Sequence, residues 1–270
     1  GYRMGSGALV DLMHQDGFLC PLGGGLMGDI TDGYARELGI SREEQDEFAA
    51  DCHRKTEAAV KAGKFEAEIV PIAVPGRKGQ VTVFKNEEIY REGITVSSLA
   101  KLKPVFNKDG TVTAGNACAL CDAAATQVIM DRKKANSMGL KPMALIRGYA
   151  FVGYDPKRFG LSPVKAIPAA LKQAGLTLSD IDLIELNEAF AAQYIGCEQK
   201  LNIDRSKVNV NGGSVAIGHP IGASGARILT TLMYEMKRRA ADMPRPYYGL
   251  ATLCVGVGQG VSTIVEWIDD

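Results

Sequence analysis

The stretch Asn209-Val-Asn-Gly-Gly-Ser-Val-Ala-Ile-Gly-His-Pro-Ile-Gly-Ala-Ser-Gly-Ala-Arg227 decides how this chain is read. It sets one histidine, His219, among five glycines and directly before Pro220. Proline fixes its own φ and biases its predecessor away from the α region, so His219 is expected on an extended turn. The apolar spacing of Ala226 to Arg239 predicts a helix straight after the loop. A glycine loop ending at a helix start lets backbone approach a ligand closely and leaves N–H groups free. Taken alone, Gly-His-Pro also describes a tight turn around a satisfied histidine.

Outward from that loop the chain alternates. Val208 to Val210 precedes it as a short strand, and Tyr247 to Cys254 and Gly260 to Trp267 follow as strands around a glycine turn. Further upstream lie a strand at Leu145 to Val152, a helix at Pro163 to Ala174 stopped by Gly175, a strand at Ile181 to Leu186 and a helix at Glu188 to Leu201. Such alternation from Lys141 onward predicts an α/β, layered α-β-α unit on a parallel or mixed sheet. Thr111 to Asn116 reads as a strand and Ala117 to Lys134 as an apolar helix. The first 110 residues do not alternate and read as a separate, irregular α+β unit. It holds a short amphipathic segment at Ala8 to Met13, a helix to about Ala62 opened by the capping box Ser41-Arg-Glu-Glu44, and a hairpin or short meander between Ile69 and Val83.

Bulk composition sets limits. The 270 residues are 46% hydrophobic and 23% charged, enough to bury a core. Lys plus Arg and Asp plus Glu stand at 31 each, which offers no electrostatic argument for nucleic acid. No apolar run reaches the roughly 18 residues of a membrane span. Six scattered cysteines fit a reducing, cytoplasmic location. The chain opens on Gly1 rather than methionine and is expected to be a piece of something longer.

Three stretches place a reactive group at a strand end: Asn187 in Leu186-Asn-Glu-Ala-Phe-Ala191, His219, and Cys254 in Leu253-Cys-Val-Gly-Val-Gly-Gln-Gly260. Each has a plain structural reading as a helix cap, a turn residue or a packed thiol. In one α/β unit, however, strand-end loops gather into a crevice. A neutral histidine beside a thiol can generate thiolate, and Gly256 and Gly258 let backbone N–H groups face a developing oxyanion.

In order and spacing, Asn187–Ala191, Gly212–Gly225 and Cys254–Gly260 resemble the thiolase family, closest to acetyl-CoA acetyltransferases. Val112-Thr-Ala-Gly-Asn-Ala117 with Asp122, and Ala100-Lys-Leu-Lys-Pro104, resemble further thiolase segments. The resemblance implies reversible Claisen condensation and thiolysis of 3-ketoacyl-CoA, with coenzyme A thioesters as substrates and no permanently bound cofactor. It makes His219 the base for an acyl-accepting cysteine and Cys254 the acid/base at the α-carbon. Asn187 holds an oxyanion-hole water, and Gly256 contributes its N–H. Met27, Ala189 and Phe190 match the acyl and pantetheine pocket. Arg91, Ser98, Ala114 and Cys118 match coenzyme A contacts.

The resemblance further divides the chain into a loop domain (1–110), a remnant of the N-terminal core domain (111–140) and a C-terminal domain (141–270). It implies that the N-terminal half of the fold, with the nucleophilic cysteine, is missing. The chain is then expected not to form an acyl-enzyme alone. It is expected to expose apolar surface, and to work as a homo-oligomer or with a chain supplying that half. Leu26, Cys118 and Cys121 depart from the family's usual residues. The Cys118–Cys121 spacing without a second ligand pair makes no metal site. Two rival readings remain open: a ketoacyl-synthase-type condensing enzyme, disfavoured because the second base is a cysteine, and a non-catalytic coenzyme A-binding or scaffolding subunit.

Overall fold

The computed structural model describes residues 2–242 and 246–268. Its centre is a four-stranded mixed sheet in the order β5-β8-β7-β6, made of β5 (Ala144–Gly153), β6 (Leu183–Leu186), β7 (Tyr247–Val255) and β8 (Gln259–Trp267). β5/β8 and β8/β7 are antiparallel, whereas β7/β6 is parallel. Helix α5 (Pro163–Ala174) ends at Gly175, whose φ of 70° is the left-handed cap that glycine supplies most easily.

Alternation along the strands splits the core in two. Ile184, Leu186, Leu250 and Ile264 point to one face, under Ile167, Ala170 and Leu171 of α5 and Ile195 of α6 (Ala191–Leu201). Leu183, Ala251, Val265 and Trp267 point to the other, under Ile228, Leu232 and Met236 of α8 (Ser224–Arg239). A sheet covered on both faces is the α/β layering expected from the sequence.

Around this unit sit β1 (Leu19–Cys20) paired with β2 (Gly25–Leu26), then α1 (Met27–Glu37) and α2 (Arg42–Lys61). The capping box on α2 forms as read: Ser41 Oγ accepts from Glu44 N at 3.1 Å, and Ser41 N donates to Glu44 Oε2 at 2.7 Å. β3 (Ile72–Pro75) and β4 (Val81–Phe84) make the expected hairpin. Two short helices, α3 (Val96–Leu99) and α4 (Arg132–Ser137), follow. Among the described residues no helix is long and apolar enough to cross a membrane.

Several segments differ from the sequence reading. After the segment at Ala8 to Met13, a π-helical turn that the sequence reading did not include occupies Met13–Phe18. Val208 to Val210 contributes only isolated bridges, Ile184 to Val208 and Val210 to Gly212. Thr111 to Asn116 is a turn pinned by side chains rather than a strand. Asp32 Oδ1 accepts from Thr111 N (2.7 Å) and Val112 N (3.0 Å), and Asn116 Oδ1 accepts from Thr113 N (2.8 Å).

The largest difference is 117–131, expected as a helix and found without regular structure. Its backbone bonds run sideways: Cys118 N donates to Ala189 O (3.1 Å), and Ala119 O accepts from His219 N (3.1 Å). A short apolar run fits an extended segment as well as a helix, and here these lateral partners decide it. Large apolar side chains stand exposed along it, at Val128 and Ile129, and on the edge strand β5 at Tyr149 (64% exposed) and Phe151 (66%).

Candidate active site

Strand register brings the first two reactive groups together. Leu186 pairs with Thr252 across β6/β7, and Asn187 N donates to Thr252 O at 3.0 Å. Asn187 and Cys254 therefore leave neighbouring strands at the same end of the sheet, where loops form a crevice. Cys254, 5% exposed, packs with Val112, Phe159, Ala189 and Phe190, and Met27, Phe106 and Ala117 lie against that group. Burial pushes its thiol up to about 12, so it carries its proton at neutral pH.

The turn after Cys254 is tight. Val257 (φ 60°) and Gly258 (φ 87°) both take left-handed conformations, and Gly258 O accepts from Tyr154 N at 2.6 Å. A Cβ on Gly256 would lie 2.7 Å from Met27 Cε, so the Met27 side chain lies against this turn.

His219 arrives from the other side. The short helix α7 (Ser214–Ile217) ends at Gly218, with φ 85°, and His219 and Pro220 follow without regular structure. His219 N donates to Ala119 O, and a Cβ on Gly218 would lie 2.5 Å from Cys121 Sγ. Segment 118–121 thus bridges Ala189, two residues after Asn187, to the histidine loop. His219 Nδ1 lies 2.5 Å from Ser224 Oγ, and Ser224 Oγ donates to Pro220 O at 3.1 Å. With its single proton given to Pro220, the Ser224 hydroxyl accepts from Nδ1–H. That assigns the tautomer with a free lone pair on Nε2.

Burial, with Arg227 adding to it, lowers His219 to about 4. The ring is therefore neutral from pH 5 to 8 and becomes imidazolium only as pH falls through about 4. Because the folded value lies below the unfolded one near 6.5, its contribution to stability is full above 6.5 and is lost as pH falls from there through 4. We predict that NMR titration of the His219 ring protons gives a midpoint near 4. A midpoint near 6.5 would contradict this account of the site.

The pocket residues inferred from the sequence divide into two groups. Met27, Ala189 and Phe190 gather around Cys254. Cys118 stands beside them, held by its backbone bond to Ala189, and burial pushes its thiol up to about 12, with Cys254 and Glu188 adding to the shift. Arg91, Ser98 and Ala114 have their contacts elsewhere. Arg91 N donates to His53 Nδ1 (3.2 Å) on α2. The Ser98 hydroxyl donates to Thr95 O (2.7 Å) and accepts from Thr95 N within the α3 cap. Ala114 lies exposed on a turn. His53 is buried and serves as a packing residue, whereas His14 is exposed.

Residues that the sequence reading passed over form a layer behind the site. Ser214 Oγ donates to Asn187 Oδ1 at 2.6 Å, and Arg227 Nη2 donates to Ser214 Oγ at 2.8 Å. Glu188 Oε1 accepts from Asn209 Nδ2 (2.7 Å), and its Oε2 accepts from Ser214 N (2.5 Å). A Cβ on Gly212 would strike Thr56 Oγ1 and one on Gly213 the Glu188 carboxylate, so the glycine pair lets this loop lie between α2 and Glu188. Asn209, Ser214 and Arg227 all fall within the opening stretch, but their partners cross the fold and leave no local signal.

Comparison with known proteins bears on the family. The family description "Thiolase, C-terminal domain" matches residues 140–267, and "Thiolase, N-terminal domain" matches residues 1–133. The chain belongs to the thiolase family.

Among thiolase relatives, an acetyl-CoA acetyltransferase of Cupriavidus necator is 52% identical over 266 residues, 98% of this chain and 66% of that protein. One from Chromobacterium violaceum is 49% identical over 98% of this chain and 67% of its own length. The crystal structure of the Bacillus anthracis acetyl-CoA acetyltransferase superposes with a TM-score of 0.93 at 43% identity, over 99% of this chain and 66% of that one. That of human mitochondrial 3-ketoacyl-CoA thiolase in complex with CoA gives 0.88 at 38% identity, over 99% and 65%. The chain thus spans about two thirds of the length of these thiolases.

One expectation is corrected by these matches. The N-terminal half of the thiolase fold was expected to be missing, yet the N-terminal domain description covers residues 1–133, so that absence is not borne out.

Proposed function

We propose that this chain acts as a thiolase-type acyltransferase, an acetyl-CoA C-acetyltransferase carrying out reversible Claisen condensation and thiolysis of 3-ketoacyl-CoA. Coenzyme A enters as the substrate thioester. The observation that carries this reading is that Asn187 and Cys254 leave neighbouring strands at one end of the sheet, with the neutral His219 tied through Ala119 to the segment whose Cys118 bonds Ala189.

In thiolysis the coenzyme A thiol attacks the C3 carbonyl and the C2–C3 bond breaks, the acyl group staying on that sulfur and the electron pair passing to C2 as a thioester enolate. Cys254, protonated at neutral pH, delivers its proton to C2; in condensation its thiolate removes one. A thiol pushed up in pKa gives a strong conjugate base, which suits a weakly acidic α-proton. His219 Nε2 takes the proton of the acyl-accepting thiol. Together with a water held by Asn187 it then faces the oxyanion, and the Gly256 N–H serves a second one. Met27, Ala189, Phe190 and Cys118 line the acyl and pantetheine path. Residues 1–110 carry Arg91 and Ser98 towards the rest of coenzyme A, residue 111 begins the segment bearing Ala114, and residues 141–270 carry the catalytic groups.

The test is thiolysis of acetoacetyl-CoA by this chain with added coenzyme A. Consumption of acetoacetyl-CoA, lost on substitution of His219, is the expected result. Tight binding with neither turnover nor proton exchange would overturn the enzyme reading in favour of a coenzyme A-binding subunit.

A further inference from the structure

The layer behind the site ends in a group that the proposed chemistry does not use. Arg227, on the first turn of α8, is largely buried, its side chain 17% exposed, and faces the buried Glu185 carboxylate with Nη1 to Oε2 at 3.8 Å. Burial holds Glu185 well above the usual carboxylate range despite Arg227, so this pair is a weak reason to bury a guanidinium. Arg227 Nε and Nη1 find no hydrogen-bond partner among the described residues. Its one well-made hydrogen bond is the 2.8 Å donation from Nη2 to Ser214 Oγ.

That bond sets a direction. A guanidinium only donates, and the Ser214 hydroxyl has a single proton. With Arg227 donating into Ser214 Oγ, the acceptor for that proton is Asn187 Oδ1 at 2.6 Å. The Asn187 amide is thereby held oxygen-inward, and its NH2 group turns away from Ser214. Asn187 Nδ2 is buried and has no partner among the described residues, which is the arrangement of a donor kept for a ligand.

We propose that Arg227 is a positioning residue which, acting through Ser214, fixes the Asn187 amide with its NH2 available as the hydrogen-bond donor for the oxyanion water. This rests on the functional reading above. Lysine, like arginine, only donates, so Arg227→Lys preserves the direction of the chain. Glutamine offers a carbonyl that competes for the Ser214 proton, and Ser214→Ala removes the link while leaving Arg227 in place.

Two readouts separate this inference from the functional reading. The first is the side-chain 15N–1H2 signal pair of Asn187 in the ligand-free chain, assigned through Asn187→Asp. One set at one position is expected in wild type and Arg227→Lys, and a shifted or doubled set in Arg227→Gln and Ser214→Ala. An Asn187 signal unchanged in both of the latter overturns the proposal. Should Arg227→Gln fail to fold, Ser214→Ala alone decides it.

The second readout is the fraction of bound acetoacetyl-CoA in its enolate form, followed by near-ultraviolet absorbance. It should fall about tenfold or more in Arg227→Gln and Ser214→Ala and recover in Arg227→Lys, with affinity for coenzyme A itself unchanged. A wild-type chain that enriches no enolate, while its Asn187 signals respond as expected, refutes the functional reading and leaves the positioning role standing. Equal loss of coenzyme A affinity and enolate in all three variants marks a merely structural role and overturns the proposal.

Discussion

Replacing His219 with alanine is expected to lower kcat/KM for acetoacetyl-CoA thiolysis by about 10³- to 10⁴-fold while leaving the fold intact. Two losses combine. A positioned general base contributes about 10²- to 10⁴-fold, and a preorganised donor at the oxyanion about 10²- to 10³-fold; groups acting on one transition state do not multiply fully. The ring is suited to the first task because burial keeps it neutral, with a value near 4, and because Ser224 holds Nδ1 and leaves Nε2 free. The structural cost is small. Ser224 keeps its bond to Pro220 O, and the loop remains anchored by His219 N on Ala119 O, a backbone bond that alanine retains. Steady-state kinetics beside circular dichroism check this; a loss below tenfold in a folded variant would remove His219 from the chemistry.

Cys254→Ala is expected to reduce thiolysis turnover by about 10²- to 10⁴-fold, the range of a lost general acid. Cys254 sits inside an apolar group of Val112, Phe159, Ala189 and Phe190. The burial that raises its thiol to about 12 keeps the proton on sulfur and ready for the enolate carbon. Alanine removes only one buried sulfur, so stability should fall by about 1 to 2 kcal/mol, and a folded, inactive variant is the expected outcome. Cys254→Ser, isosteric with a more weakly acidic and less nucleophilic group, should recover little of the rate. If Cys254→Ala turns over at the wild-type rate, the acid/base at C2 is another residue.

The C-terminal domain was legible because its signals are local. Pro163 opens α5 and Gly175 closes it in the left-handed region, and the apolar runs of β7 and β8 flank a glycine turn whose residues take positive φ. The Ser41–Glu44 box likewise needed only four residues to be read. The 117–131 segment was misread because its conformation is set by partners far along the chain, Ala189 and His219, which no local periodicity reports. Val208 to Val210 failed as a strand for a similar reason: Asn209 takes φ 45° and turns its side chain into the carboxylate layer.

The site shows the same divide. Asn187, His219 and Cys254 were visible as reactive groups at strand ends. Ser214 and Arg227 lay within the opening stretch, but only the folded chain brings their side chains to Asn187.

The central claim is that the Asn187–His219–Cys254 constellation removes a proton α to a coenzyme A thioester carbonyl. Exchange of the acetyl-CoA methyl protons with deuterium oxide, followed by proton NMR in the presence of this chain, tests that step without requiring carbon–carbon bond formation. Catalysed loss of the methyl signal that disappears in Cys254→Ala is the predicted result. A methyl signal that decays no faster with the chain than in buffer alone, under conditions where acetyl-CoA binds, would contradict it.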